Sequence, residues 1–277
     1  MSNKVYDYVT QRILKEMDKG VIPWKKPWFT RKCNFKSRRN YHGVNLLLLK
    51  KPGEYLTWNQ VQKLEGKVKK GSKSHMVTFW KMLEKKEKEK NEKGDIEEKT
   101  KKIPLLRYYR VFHISDIEGI NSKLENKEIE PVKKAEQIIN NYRNKPKINL
   151  ELSCKATYNP KKDIVNCPKK EQFDNKEQYY GTLFHELIHS SGHTKRLDRF
   201  DHEKLAAFGS ENYSFEELIA EIGSSMLLSK CGMDLDKTVK NTASYIKNWS
   251  EKLKNNRTMI VKAAGKAQKA VKHILGK

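Results

Sequence analysis

The sequence has few cysteines and no closely spaced pair of them. Cys33, Cys154, Cys167 and Cys231 lie far apart with no CxxC spacing, which excludes a zinc ribbon and a dense disulfide framework and predicts reduced thiols. Long apolar runs are missing too. The N-terminal MSNKVYDYVTQRILKEM holds no continuous hydrophobic stretch, and the leucine run at Leu46–Leu49 is far too short to span a bilayer. The expectation is a soluble cytoplasmic protein with no membrane partner. Acidic residues are also in short supply, 34 against 58 lysines and arginines, for a formal charge of +24 over 277 residues. An excess of that size favours a polyanionic partner, although a lysine-rich host proteome gives the same sum.

What is present divides into two parts. Val5, Tyr8, Val9, Ile13 and Met17 fall at helical spacing before Gly20 stops the pattern. A basic, aromatic loop follows, then a short helix over Thr57–Leu64 and strands over His75–Lys81 and Leu105–His113. Between these strands, residues 84–102 carry charges of both signs and almost nothing apolar, which reads as an exposed hairpin tip or insertion. After Asn121–Glu130, Pro131 suits the first turn of a new helix, and the domain boundary is placed here. The second part begins with a hairpin turning at Asn159–Asp163 and continues as helices over Lys176–Ser191, Phe215–Ser229, Lys237–Lys254 and Thr258–Leu275. The expected class is α+β, with a small α+β domain over residues 1–125 and a mostly helical domain with a small sheet over 131–277.

The first helix of the C-terminal set carries chemistry, for it contains His185-Glu186-Leu187-Ile188-His189. Residues four apart share a helix face, so both imidazoles can point at one ion, while Glu186 sits beside them where its carboxylate can reach a water on that ion. A carboxylate so placed takes the water's proton and returns it to a leaving amine, which makes Glu186 the candidate general base. The metzincin continuation would need histidine where Lys195 stands. Gly192 should break the helix before His193, leaving that residue a pocket or supporting role. The third ligand is sought instead in SFEELIAEIGSS, where Glu217 and Glu221 share a face. Glu217 is assigned as ligand and Glu221 as its support, with the reverse assignment open. The ion is Zn²⁺, or Mn²⁺ or another divalent metal. No motif singles out an oxyanion donor; His193, His202 and Tyr213 are the candidates.

In VIPWKKPWFTRKCNFKSRRNYHG, Trp24, Trp28 and Tyr41 alternate with Lys25, Lys26, Arg38 and Arg39. Cations that track phosphates and aromatic faces that stack on bases are what a single strand of nucleic acid requires. The alternative is a small core in which the tryptophans pack beneath the loop.

The ordered motifs GVIPWKKPW, RNYHGVN, TWNQ, KGSK and VFHISDIEG in the first half, with ATYNPKKDI, HELIHSSGHTKRLDR, ELIAEIG and SYIKNWSEKL in the second, resemble the ArdC-type antirestriction proteins of conjugative plasmids and integrative elements. The resemblance covers nearly the whole chain. It implies an N-terminal single-stranded-DNA-binding domain and a C-terminal zincin-like metallopeptidase domain that together protect incoming conjugative DNA from restriction, with single-stranded DNA and a protein of the recipient cell as partners. The chain departs from the family at His113, where asparagine is common, and at Ser190-Ser191, where Trp-Thr is frequent. Two other functions stay open: a DNA-binding protein whose metal site is structural, and a regulatory protease whose charge reflects its host.

Overall fold

Val5, Val9, Ile13 and Met17 recur every fourth residue and are all buried, forming the inner face of helix α1 (Ser2–Met17). Tyr8 departs from its expected place on that face and stands exposed, while Tyr6 is buried. The computed structural model describes residues 2–25, 32–90, 96–124, 130–151, 155–200, 211–234 and 243–277.

Strand β1 (Lys32–Asn34) pairs parallel with β2 (Gly53–Thr57). The leucine run between them forms a short buried helix, α2 (Asn45–Leu48). Thr57 then caps α3 (Trp58–Lys63) in a reciprocal box with Gln60. After β3 (Lys67–Val68), the chain enters a long hairpin of β4 (His75–Lys90) and β5 (Ile96–His113), and β6 (Ile117–Glu118) returns to pair with β3. The main sheet runs in the order β1-β2-β5-β4. Asn45 docks α2 onto it like a strand partner, its amide donating to the Thr78 carbonyl at 2.8 Å and its carbonyl oxygen accepting from the Thr78 N–H at 2.6 Å. Lys32 is buried beneath α2, donating to the Leu46 carbonyl at 2.8 Å, and burial pulls its pKa down to about 7.

Residues 84–102 differ from the expected tip. β4 and β5 continue through most of them, setting Glu84 opposite Lys102, Glu87 opposite Lys99 and Lys88 opposite Glu98. Ladder hydrogen bonds hold such a ribbon without an apolar pattern, so the period-2 signal that identifies a strand in sequence is absent.

In the second half, α4 (Pro131–Asn141) starts at its proline. Three short strands follow, β7 (Lys147–Glu151), β8 (Thr157–Asn159) and β9 (Ile164–Pro168), in the order β7-β9-β8. The β8–β9 turn falls where the sequence places it: Asn159 Oδ1 accepts from the Lys162 N–H at 3.0 Å, and Asp163 adopts φ 52°. Four helices complete the chain: α5 (Lys176–Ser190), α6 (Glu211–Lys230), α7 (Ala243–Asn255) and α8 (Met259–Ile274). Ala263, Ala264, Ala267 and Ala270 on α8 are fully buried.

One apolar core runs through both halves, joining Val9, Leu48 and Tyr55 to Phe184, Leu218 and Ala267. A smaller cluster of Phe35, Leu56, Val61 and Ile117 lies under α3. Among the described residues no helix is long and apolar enough to cross a membrane. Cys33, Cys167 and Cys231 are buried and form no disulfide; Cys154 lies outside the described residues.

Candidate functional site

Helix α5 is anchored at its start by Asn175, whose side chain accepts from the Gln178 N–H. Its Leu183, Phe184, Leu187 and Ile188 are buried, so the core fixes the rotation of the helix and with it the direction of His185 and His189. Helix α6 packs against α5 at Gly223, where an added Cβ would stand 2.7 Å from Ile188 Cδ1, and Ser224 Oγ donates to the Gly181 carbonyl at 2.8 Å. That close approach carries Glu217, less than two turns earlier on α6, over the two histidines.

His185 Nε2 and His189 Nε2 are 3.0 Å apart. Glu217 Oε2 lies 3.4 Å from the first and Oε1 3.4 Å from the second. Ligand atoms around a tetrahedral ion with bonds of about 2.0–2.2 Å stand about 3.3–3.6 Å apart. Two imidazole nitrogens and a carboxylate oxygen at this spacing fit a divalent ion such as Zn²⁺, and among the described residues these three are the group that can hold one. Glu186 is buried beside them.

The other ring nitrogen of His189, Nδ1, faces Glu216 Oε1 at 3.3 Å. Glu216 is held in turn by Arg199, whose Nε and Nη2 donate to its two oxygens at 3.0 and 2.7 Å, while the same guanidinium donates to the Ile188 carbonyl and to Ser191 Oγ. The carboxylate that meets the outer ring nitrogen of His189 is therefore Glu216, where sequence reasoning placed Glu221. Glu221 instead points at Tyr245: burial, then the charge and hydrogen bond of Glu221, push the Tyr245 phenol far up. Burial alone would lower the pKa of His189, but Glu216 and Glu217 outweigh it and lift it to about 10, and both carboxylates titrate below their ordinary value in return.

Tyr213 lies one turn before Glu217 on α6 and hydrogen-bonds it; burial and the Glu217 and Glu186 charges hold its phenol up at about 12, protonated and able to donate at neutral pH. His193 is buried just past α5 and accepts from the Lys195 N–H at 3.1 Å, and His202 lies outside the described residues. Gly192 ends α5 as expected, and its missing side chain admits the Phe200 ring, which an added Cβ would meet at 2.8 Å. Arg196 closes this turn onto the β8–β9 hairpin through Asp163 and the Ser190 carbonyl.

Among the described residues, those expected to hold nucleic acid differ in their surroundings. Trp24 is fully buried, edge-on to Trp249 of α7 at 5.9 Å, and Tyr41 is buried against Tyr55. Neither offers a face to a base, so the core alternative describes both. Arg38 is paired with Glu54, and Arg39 is exposed. Lys25 closes a 3-10 turn (Pro23–Lys25), while Lys26 and Trp28 lie outside the described residues.

Residues 3–112 match the family model of the N-terminal domain of anti-restriction factor ArdC, and residues 133–266 that of a zincin-like metallopeptidase. Two crystal structures of the antirestriction protein ArdC from plasmid R388 are similar along the whole chain. The metal-free form has a TM-score of 0.74 at 30% identity, covering 97% of this chain and 96% of that one; the Mn(II)-bound form has 0.74 at 29%, covering 98% and 97%. The chain belongs to the ArdC antirestriction family. A DNA primase TraC from Escherichia coli is 30% identical over 98% of the chain, which spans 27% of that primase; a second TraC is 28% identical, and the chain spans 20% of it. Protein y4eC of Sinorhizobium fredii is 28% identical over 95% of the chain and 89% of its own length.

In this ArdC-family chain, sequence reasoning missed Glu216 and Arg199 at the metal site, because Glu216, Glu217 and Glu221 are equivalent as letters and only helix packing separates them. It also missed the exposed Arg107-Tyr108-Tyr109-Arg110 on β5. The alternation of charge and aromatic was the available signal, hidden by assignment of the stretch to a strand.

Proposed function

We propose that the protein protects incoming conjugative DNA from restriction in the cytoplasm of the recipient cell, binding single-stranded DNA through residues 1–125 and hydrolysing a protein substrate at a metal site in 131–277. The observation that carries the peptidase half is the convergence of His185, His189 and Glu217 on one point, with Glu186 beside it. His185, His189 and Glu217 would hold the ion, Zn²⁺ or Mn²⁺. When bound, it supplies Lewis acidity to a peptide carbonyl and acidity to a water. Glu186 would take a proton from an attacking water and deliver it to the leaving nitrogen. Glu216, clamped by Arg199, would hold a proton on His189 Nδ1, so that Nε2 would be the nitrogen to ligate the ion. Tyr213, whose phenol hydrogen-bonds Glu217, would turn that donor to charge developing on the carbonyl oxygen.

A site that served only stability would make no use of Glu186. Conjugation into a restricting recipient, with metal content and melting measured on each protein, separates the readings. Glu186→Gln should keep its metal and fold while losing protection by at least 100-fold, in line with loss of a general base. Full protection by that variant would reduce the metal to a structural role and leave DNA binding as the mechanism.

A further inference from the structure

The burial of Trp24 and Tyr41 removes both rings from contact with a single strand. Among the described residues, the large apolar side chains most open to water include Trp58, Phe79, Tyr108 and Tyr109, at 50, 45, 54 and 49% exposure. All four lie on the β4–β5 ribbon or on the first residue of α3 beside it. Single exposed aromatics are ordinary, but three on one hairpin with a fourth beside it are not.

Their arrangement follows from the strand register. Tyr109 pairs with Val77 and Arg107 with Phe79, so Tyr109, Arg107 and Phe79 share one face, where the Phe79 and Tyr109 rings meet edge to face at 5.5 Å. Tyr108 and Arg110 share the opposite face with Phe112, against which Trp58 leans at 6.1 Å. Alternate residues on a strand stand about 6.6–6.8 Å apart, so each face presents an aromatic next to an arginine. Among the described residues neither Arg107 nor Arg110 has a carboxylate partner; Arg110 donates to Ser74 Oγ at 3.2 Å. Lys69, Lys70 and Lys73, in the turn that leads into β4, are exposed and add charge at the ribbon's base.

We propose that single-stranded DNA passes around the β4 edge of this ribbon, stacking on Phe79 and Tyr109 beside Arg107 on one face and on Tyr108 and Trp58 beside Arg110 on the other. The inference rests on the single-strand reading above and places it on other residues. Free aromatic faces favour unstacked bases over the edges that a duplex shows, and unpaired guanidinium groups complement phosphates.

The full-length chain is titrated against a labelled oligo-dT strand and a duplex of equal length at several salt concentrations, by fluorescence polarisation. Tyr108→Ala and Tyr109→Ala should each weaken the single strand roughly 5- to 150-fold, the effect of losing one stacked base, while Tyr108→Phe keeps the affinity. Joint replacement of Arg107 and Arg110 by alanine should flatten the log–log salt dependence by about 1.4, or about 0.7 per phosphate. Melting and metal content unchanged from wild type exclude misfolding as the cause. A wild type that binds while the ribbon variants bind equally well overturns this surface alone. A wild type that holds no single strand, or prefers the duplex, overturns the single-strand reading and the surface with it.

Discussion

His189 meets a carboxylate at each ring nitrogen, Glu217 at Nε2 and Glu216 at Nδ1, and the two contacts have different consequences. The Nε2 contact is where an ion would be shared; the Nδ1 contact orients the ring. Glu216→Gln removes the charge that holds both His189 and Arg199, and metal affinity should fall by about 10- to 100-fold in a chelator-competition titration. Glu221→Gln should leave that affinity within a few-fold of wild type. Equal losses in both variants would restore Glu221 to the role that helical spacing alone suggests. The His185-Glu186-His189 trio was legible because helix periodicity alone brings its members together. The choice among Glu216, Glu217 and Glu221 was not, because it depends on how α6 is rotated against α5, and α6 is apolar on most of its circumference from Leu218 to Leu228.

At the scale of elements, the α5–α6 contact sets the height of Glu217 above the histidines. Gly223 makes that contact possible, since an added Cβ would lie 2.7, 2.9 and 3.1 Å from three side-chain atoms of Ile188, itself fully buried. Gly223→Ala therefore forces the helices apart or Ile188 from its rotamer, and should cost about 1–3 kcal/mol in a denaturant melt. Because Glu217 rides on α6, metal affinity should fall in the same variant although no ligand has changed. Unchanged affinity at lowered stability would mean that α6 yields locally around Gly223 without moving Glu217. Helices α5, α6 and α8 were legible to within a few residues from apolar periodicity and stop signals, as was the end of α7, whose expected start at Lys237 lies outside the described residues. The length of the ribbon was not, since Glu and Lys in alternation give no apolar face to read and its ladder is satisfied by backbone alone.

At the scale of the whole molecule, the two matched family regions, 3–112 and 133–266, do not have separate interiors. Helix α1 crosses to the C-terminal helices: Thr10 Oγ1 donates to the Arg257 carbonyl at 2.7 Å, and Asp7 pairs with Arg257 at 3.0 Å. The Gly43 N–H donates to Gln268 of α8 at 3.4 Å. Trp24 fills the gap against Trp249, next to Tyr245, whose phenol meets Glu221 one turn after Glu217. The sequence motif around Trp24 is thus visible in the letters, but its partner lies more than two hundred residues away, which no local pattern reports. Division of the chain into two functional parts is compatible with a single folding unit, and the shared core argues for one. Calorimetry should show one transition with equal calorimetric and van't Hoff enthalpies. Trp24→Ala, by opening a cavity in that core, should destabilise the protein by about 3–5 kcal/mol and lower the midpoint for α6 and the N-terminal sheet together. Two resolved transitions, with Trp24→Ala shifting only the one that reports the N-terminal half, would show instead that the parts fold separately and that Trp24 serves its own half alone.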